Sequence, residues 1–174
     1  GGRLLAHTAD RLRRAGARGL RVLAEPAREP WYARQGLVVV ARRVTLLAFG
    51  TCPISPVPGR KLAWSIDPGR PRVEICGWRP GPWQRTPADL ALTLALPGGA
   101  AAHLSREGLA WLVHRLLAPA GLDPAAVVQE LLARLPHGAP ILLYGCDAVS
   151  SVTARLEGLG LAPAQRFAEM DLLL

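Results

Sequence analysis

The chain has 174 residues, half of them hydrophobic and 20% charged, which suits one folded domain or two small lobes and excludes a disordered segment. Its formal charge is +8, but every one of the 21 basic residues except Lys61 is Arg, and they are spread from Arg3 to Arg166, so the charge reads as a solvated surface rather than a nucleic-acid footprint. No apolar run approaches the roughly 18 to 20 residues of a membrane span, and Gly1-Gly2-Arg3-Leu4-Leu5 has neither the basic segment nor the long apolar stretch of a signal peptide.

Apolar residues Leu4, Leu5, Thr8, Leu12 and Ala15 recur at three- and four-residue spacing and predict a helix over 3–18, with Arg11, Arg13, Arg14 and Arg18 mostly on its other face. A short apolar run over 20–24 reads as a buried strand. Pro26 leads into a short helix over 27–35, and Gly36 stands where a glycine ends a helix. Residues 37–49 are rich in β-branched side chains and predict a strand. Residues 50–87 concentrate prolines and tryptophans and read as a connecting region, with short strands at 61–66 and 72–77. A strand over 90–96 ends at Pro97-Gly98-Gly99. Ser105 then predicts an N-cap for a helix over 106–118, and Asp123-Pro124 caps another over 124–135. A buried strand over 141–144, a helix over 149–159 stopped by Gly160, and a strand over 167–174 complete the chain. The fold class is α/β. Its two ends share an order: strand, short helix, Gly-Leu (Gly36-Leu37 and Gly160-Leu161), long strand. Cys52, Cys76 and Cys146 are odd in number and widely spaced, which excludes a disulfide framework or zinc knuckle and points to a reducing, cytoplasmic location.

The first fifty residues carry the most specific pattern. Gly1-Gly2-Arg3-Leu4-Leu5 opens a helix after glycine, Leu20 to Ala24 follows as a strand, and Trp31-Tyr32 stands four residues before Gly36-Leu37. This succession resembles the C-terminal half of the GNAT superfamily, the acetyl-CoA-dependent N-acetyltransferases. There a Gly-rich phosphate loop opens a helix, and a short helix carries an aromatic-Tyr pair ahead of a Gly-apolar stop. The resemblance implies a mixed-sheet acyl-CoA N-acyltransferase fold, with 1–49 as the C-terminal half of one lobe, 50–87 as a connection, and 88–174 as a second, degenerate lobe in which Leu156 takes the place of Tyr32. It implies transfer of an acetyl group from acetyl-CoA to an amine, on a small molecule or a peptide. Gly1, Gly2 and Arg3 would hold the pyrophosphate, and Tyr32 would protonate the departing thiolate. The physics agrees, because helix N-terminal N–H groups attract anions and a phenol can serve as a general acid. Of the family's phosphate loop only the last glycine remains, as Gly1, and the preceding strands and helices are missing. The chain therefore reads as an N-terminally truncated tandem. An incomplete lobe predicts an exposed sheet edge, and with it a homodimer or poor solubility.

Two other readings stay open: a non-catalytic lobe serving a larger enzyme, and a cysteine hydrolase using Cys146 at a strand end with His103. His7, His103, His114 and His137 share no metal-ligand spacing and read as surface or helix-face residues; no metal site is expected. Trp64, Trp78 and Trp83 read as packing among irregular loops. Asp67, Glu74 and Asp89 are candidate bases among which nothing in the sequence chooses. No nucleic-acid or membrane partner is expected.

Overall fold

A computed structural model of the chain describes residues 1–51, 72–77 and 91–174. Its elements are α1 (Gly2–Arg14), β1 (Gly19–Ala24), α2 (Glu29–Arg34), β2 (Val38–Phe49), β3 (Arg72–Gly77), β4 (Ala91–Ala95), a 3-10 turn (Pro97–Gly99), β5 (Ala101–Glu107), β6 (Ala110–Pro119), α3 (Pro124–Leu132), β7 (Pro140–Asp147), α4 (Ser151–Gly158) and β8 (Ala162–Leu173). The architecture is α/β with a mixed, open sheet of eight strands, in the order β1-β8-β2-β7-β6-β5-β4, with β3 pairing β6 off that path. The expected strand at 61–66 lies outside the described residues, as do Cys52, Trp64, Asp67, Trp78, Trp83 and Asp89.

The chain divides into two compact units, Gly1–Arg43 with Arg166–Leu174, and Val44–Gln165. The boundary between the units falls inside β2, and the last residues group with the first unit. The reason is pairing: β1 runs antiparallel to β8 from Gly19↔Leu173 to Ala24↔Ala168.

In the first unit α1 turns Leu5, Thr8, Ala9 and Leu12 inward, the spacing of one helix face. Leu4, expected on that face, is 71% exposed. The core is small: Ala24, Leu37, Ala168 and Met170, with Leu5, Val22, Tyr32 and Leu172 packed around it. The strand expected to be buried at 20–24 buries only Ala24 fully. Glu169, 6% exposed, is held by the guanidinium groups of Arg21 (2.6 Å) and Arg43 (2.8 Å).

The second unit holds the larger core, in which Val44, Leu46, Leu104, Val113, Leu131, Leu143 and Leu156 meet. α3 buries Ala125, Val127, Val128 and Leu131, and starts where the Asp123 carboxylate accepts from the Ala125 N–H at 3.1 Å, as its sequence predicts. α4 starts the same way, with the Ser150 hydroxyl accepting from the Thr153 N–H at 3.1 Å. One element differs in kind: the stretch expected as a helix over 106–118 is a β-hairpin. Glu107 pairs with Ala110 across a two-residue loop whose first member, Gly108, has φ +59°. A glycine in that conformation at the first loop position suits a tight hairpin turn. Ser105, expected as a helix cap, is a buried strand residue.

The likeness between the two chain ends is geometric. The Leu37 N–H donates to Tyr32 O and the Leu161 N–H to Leu156 O, both at 3.2 Å. Gly36 (φ +87°) and Gly160 (φ +94°) make the same left-handed exit from their helices. Leu156 therefore occupies in the second unit the position that Tyr32 holds in the first.

Candidate functional site

In the first unit α1 has Gly1 as its N-cap and no side-chain cap, and its first intrahelical bond runs from the Leu5 N–H to Gly1 O at 3.1 Å. The N–H groups of Gly2, Arg3 and Leu4 come before that bond, so they have no partner within the helix. This N-terminus lies against α2. A Cβ at Gly1 would stand 2.8 Å from the Trp31 indole, and one at Gly2 would stand 3.1 Å from the Gln35 amide oxygen. Tyr32 is half-buried, its ring edge-on to Trp31 with centroids 4.8 Å apart. The Glu29 carboxylate accepts from Arg42 at 2.7 Å, and this bond holds it below the usual carboxylate range. The structure thus brings Gly1 and Gly2 beside the helix that carries Tyr32. The Arg3 side chain is exposed.

In the second unit a different group assembles on β5, β6 and β7. Alternation along β5 turns Ala102 and Leu104 into the core and His103 and Ser105 to the opposite face. The Ser105 hydroxyl lies 2.7 Å from His114 Nε2. The His103 and His114 rings are 6.0 Å apart, and Tyr144 lies nearly parallel to His114 at 6.4 Å. A bulge makes this possible. Leu104 faces Val113 while His103 faces Arg115, so His114 is the extra residue on β6. Such a bulge re-aims a side chain at the cost of one ladder position. It falls where the parallel pairing of β6 with β7 has ended, at Val113↔Leu143, and where β6 takes up β3 instead, from Gly77↔Arg115. Arg115 donates to Glu74 at 2.8 Å. Burial pushes both imidazoles below their ordinary value; for His114 the neighbouring His103 adds to this and Glu107 opposes it. Both are therefore neutral near pH 7 and able to accept a proton.

No family model and no curated protein matches this chain.

Cys146 is fully buried, its thiol directed at Leu143 O at 3.8 Å. It sits in the core with Cys76, and their mutual hydrogen bond, followed by burial, raises the Cys76 thiol well above its usual range. His103 stands on the face away from that core, so the structure does not bring the Cys146–His103 pair together. Among the described residues no cluster of three or more His, Cys, Asp or Glu is placed to hold a metal ion, and no helix is long and apolar enough to cross a membrane.

The sequence pairs His103 with Cys146 in one of its open readings, and it puts neither Ser105 nor His114 in a site. The signal was available in part: His103, Ser105 and Glu107 alternate with Ala102 and Leu104, a strand period, and Gly108 follows as a hairpin residue. The bulge that turns His114 onto the same face leaves no mark in the sequence.

Proposed function

We propose that the protein transfers an acetyl group from acetyl-CoA to an amine, through a GNAT-like lobe of which residues 1–49 are the C-terminal half. The observation that supports this best is the packing of the α1 N-terminus on α2. It sets Gly1 against Trp31 and Gly2 against Gln35, so the helix start lies beside the segment that carries Tyr32. The N–H groups of Gly2, Arg3 and Leu4 would hold the pyrophosphate, with Arg3 adding charge. The amine attacks the thioester carbonyl, an N–C bond forms and the C–S bond breaks. The Tyr32 hydroxyl gives its proton to the thiolate, and the amine loses its own to a base. The acceptor is a small-molecule or peptide amine, and the setting is a reducing, cytoplasmic one.

One observation favours a second reading, a lobe that serves structure or interaction without catalysis. The space above Gly1 and Gly2 is filled by Trp31 and Gln35, which explains both glycines through helix packing alone.

Calorimetric titration with acetyl-CoA, beside a Tyr32→Phe variant, separates the two. Micromolar binding that survives the substitution, with turnover lost, is expected for the enzyme. Absence of binding would leave only the structural lobe.

A further inference from the structure

Cys76 and Cys146 lie on different strands, and each is turned into the core by a break in its own strand. Strict alternation would put Glu74 and Cys76 on one face of β3. The pairing of β3 with β6 slips between these two residues, so Glu74 stays exposed and accepts from Arg115, while Ile75 and Cys76 are both buried. Along β7, Ile141 and Leu143 point into the core, and Cys146 is out of step with them. Gly145, at φ +69°, resets the phase, and Cys146 joins the same core. Both sulfurs then converge on one rung of the sheet. Cys76 Sγ lies 4.0 Å from Val113 O and Cys146 Sγ 3.8 Å from Leu143 O, and Val113 pairs with Leu143. The two thiols also share a hydrogen bond. β3 and β7 are not paired with each other; β6 pairs β7 up to Val113 and β3 from Arg115 onward. The sulfurs thus meet where β6 changes neighbours.

We propose that Cys76 and Cys146 form a redox-sensitive clasp, a dithiol that a low-molecular-weight disulfide converts into a bond joining β3 to β7. It is independent of the acetyl-transfer reading. One protein thiol gives up its proton and its sulfur bonds to a sulfur of the small disulfide, whose S–S bond breaks. The departing half takes the proton and leaves as a thiol. The second protein thiol loses its proton and attacks the first protein sulfur. The mixed S–S bond breaks, and a second small thiol leaves. The protein has lost two electrons and two protons, and the reagent has gained both. Both thiols are buried, so the reagent reaches them only when a strand lifts from the core. β3 pairs with β6 alone among the described residues, whereas β7 pairs with both β6 and β2, so β3 is the cheaper strand to lift. A disulfide is about 2 Å long, shorter than the present contact, so β3 and β7 draw together as it closes. The bond encloses β4, β5, β6 and α3 in one long loop, which restricts the unfolded chain and favours the fold.

The test uses the full chain carrying Cys52→Ser, so that only the two core thiols remain. It is incubated with oxidised glutathione under native conditions and read by intact mass without reductant, by peptide mapping and by urea unfolding. The expected product has lost two hydrogens in mass, carries no glutathione, and yields one joined peptide pair holding Cys76 and Cys146. Its urea midpoint should exceed that of the reduced chain, and a dithiol reductant should return both mass and midpoint. Adding Cys76→Ala or Cys146→Ala should leave a glutathione adduct on the remaining thiol, because no second sulfur displaces it. The joined peptide is read on the chain with both thiols, so the test stands even where an alanine variant fails to fold. A chain that stays fully reduced, that retains a glutathione adduct, or that joins cysteines between two molecules overturns the proposal. So does a bond that leaves the urea midpoint unchanged or lower.

Discussion

Glu169 is a buried carboxylate on β8 that alternates with Ala168 and Met170, which belong to the first unit's small core, and so lies on the opposite sheet face. Arg21 and Arg43 sit on its two carboxylate oxygens. Arg21 also makes a two-pronged contact with Asp171, both bonds at 2.6 Å, so it keeps a partner if Glu169 is lost. Arg43, with 21% of its side chain exposed, would be left largely desolvated. Removing one partner of a buried pair costs about 3–5 kcal/mol, and partial exposure of the guanidinium groups reduces that. Glu169→Ala should therefore destabilise the chain by about 1–3 kcal/mol, read as a lower midpoint in urea, and Glu169→Gln by less because it still accepts hydrogen bonds. An unchanged midpoint in both would mean that this cluster is a solvated surface pair.

Among the elements, the short helices and their exits were the most legible. Gly36 and Gly160 announce left-handed residues, and Asp123 followed by Pro124 announces a helix start, because each residue does locally what no other residue does as well. Gly36→Ala tests this. Its Cβ would meet only Leu172 Cδ1 at 3.6 Å, an ordinary contact, so the cost is conformational. A loss of about 1–2 kcal/mol is expected, measured by denaturant unfolding; a neutral result would show that the helix exit relaxes. The hairpin at 101–119 is hidden in the sequence for the opposite reason. Leu, Ala and Arg in 106–118 favour a helix locally, but pairing on both sides of β6, with β5 and with β7 and β3, outweighs that preference. The Ser105–His114 contact is hidden for the same reason, since a helix over 106–118 would separate Ser105 from His114 by more than two turns.

At the level of the whole chain, the two half-exposed imidazoles tie stability to pH. Both are pushed below their ordinary value in the fold, mainly by burial, so between that lowered value and about 6.5 the unfolded chain binds more protons than the folded one. Stability is thus complete above about 6.5 and is lost as pH falls through that window. The urea midpoint should drop from pH 7 to pH 5, and a His103→Gln, His114→Gln double variant should flatten the drop; a wild-type midpoint that rises or stays level would contradict the burial of these rings. The α/β class and the order of most elements were readable from the sequence, whereas the division into units was not, since nothing local in residues 162–173 says that they pair with residues 19–24. That pairing has a consequence for synthesis. Arg21 and Asp171 stand 150 residues apart along the chain, so at roughly 5–20 residues per second the first strand leaves the ribosome on the order of ten seconds before its partner exists. During that interval Val22 and Leu23 have no β8 to cover them. The nascent chain must be kept from pairing with other chains, and a chaperone that binds short extended apolar segments would find a target here.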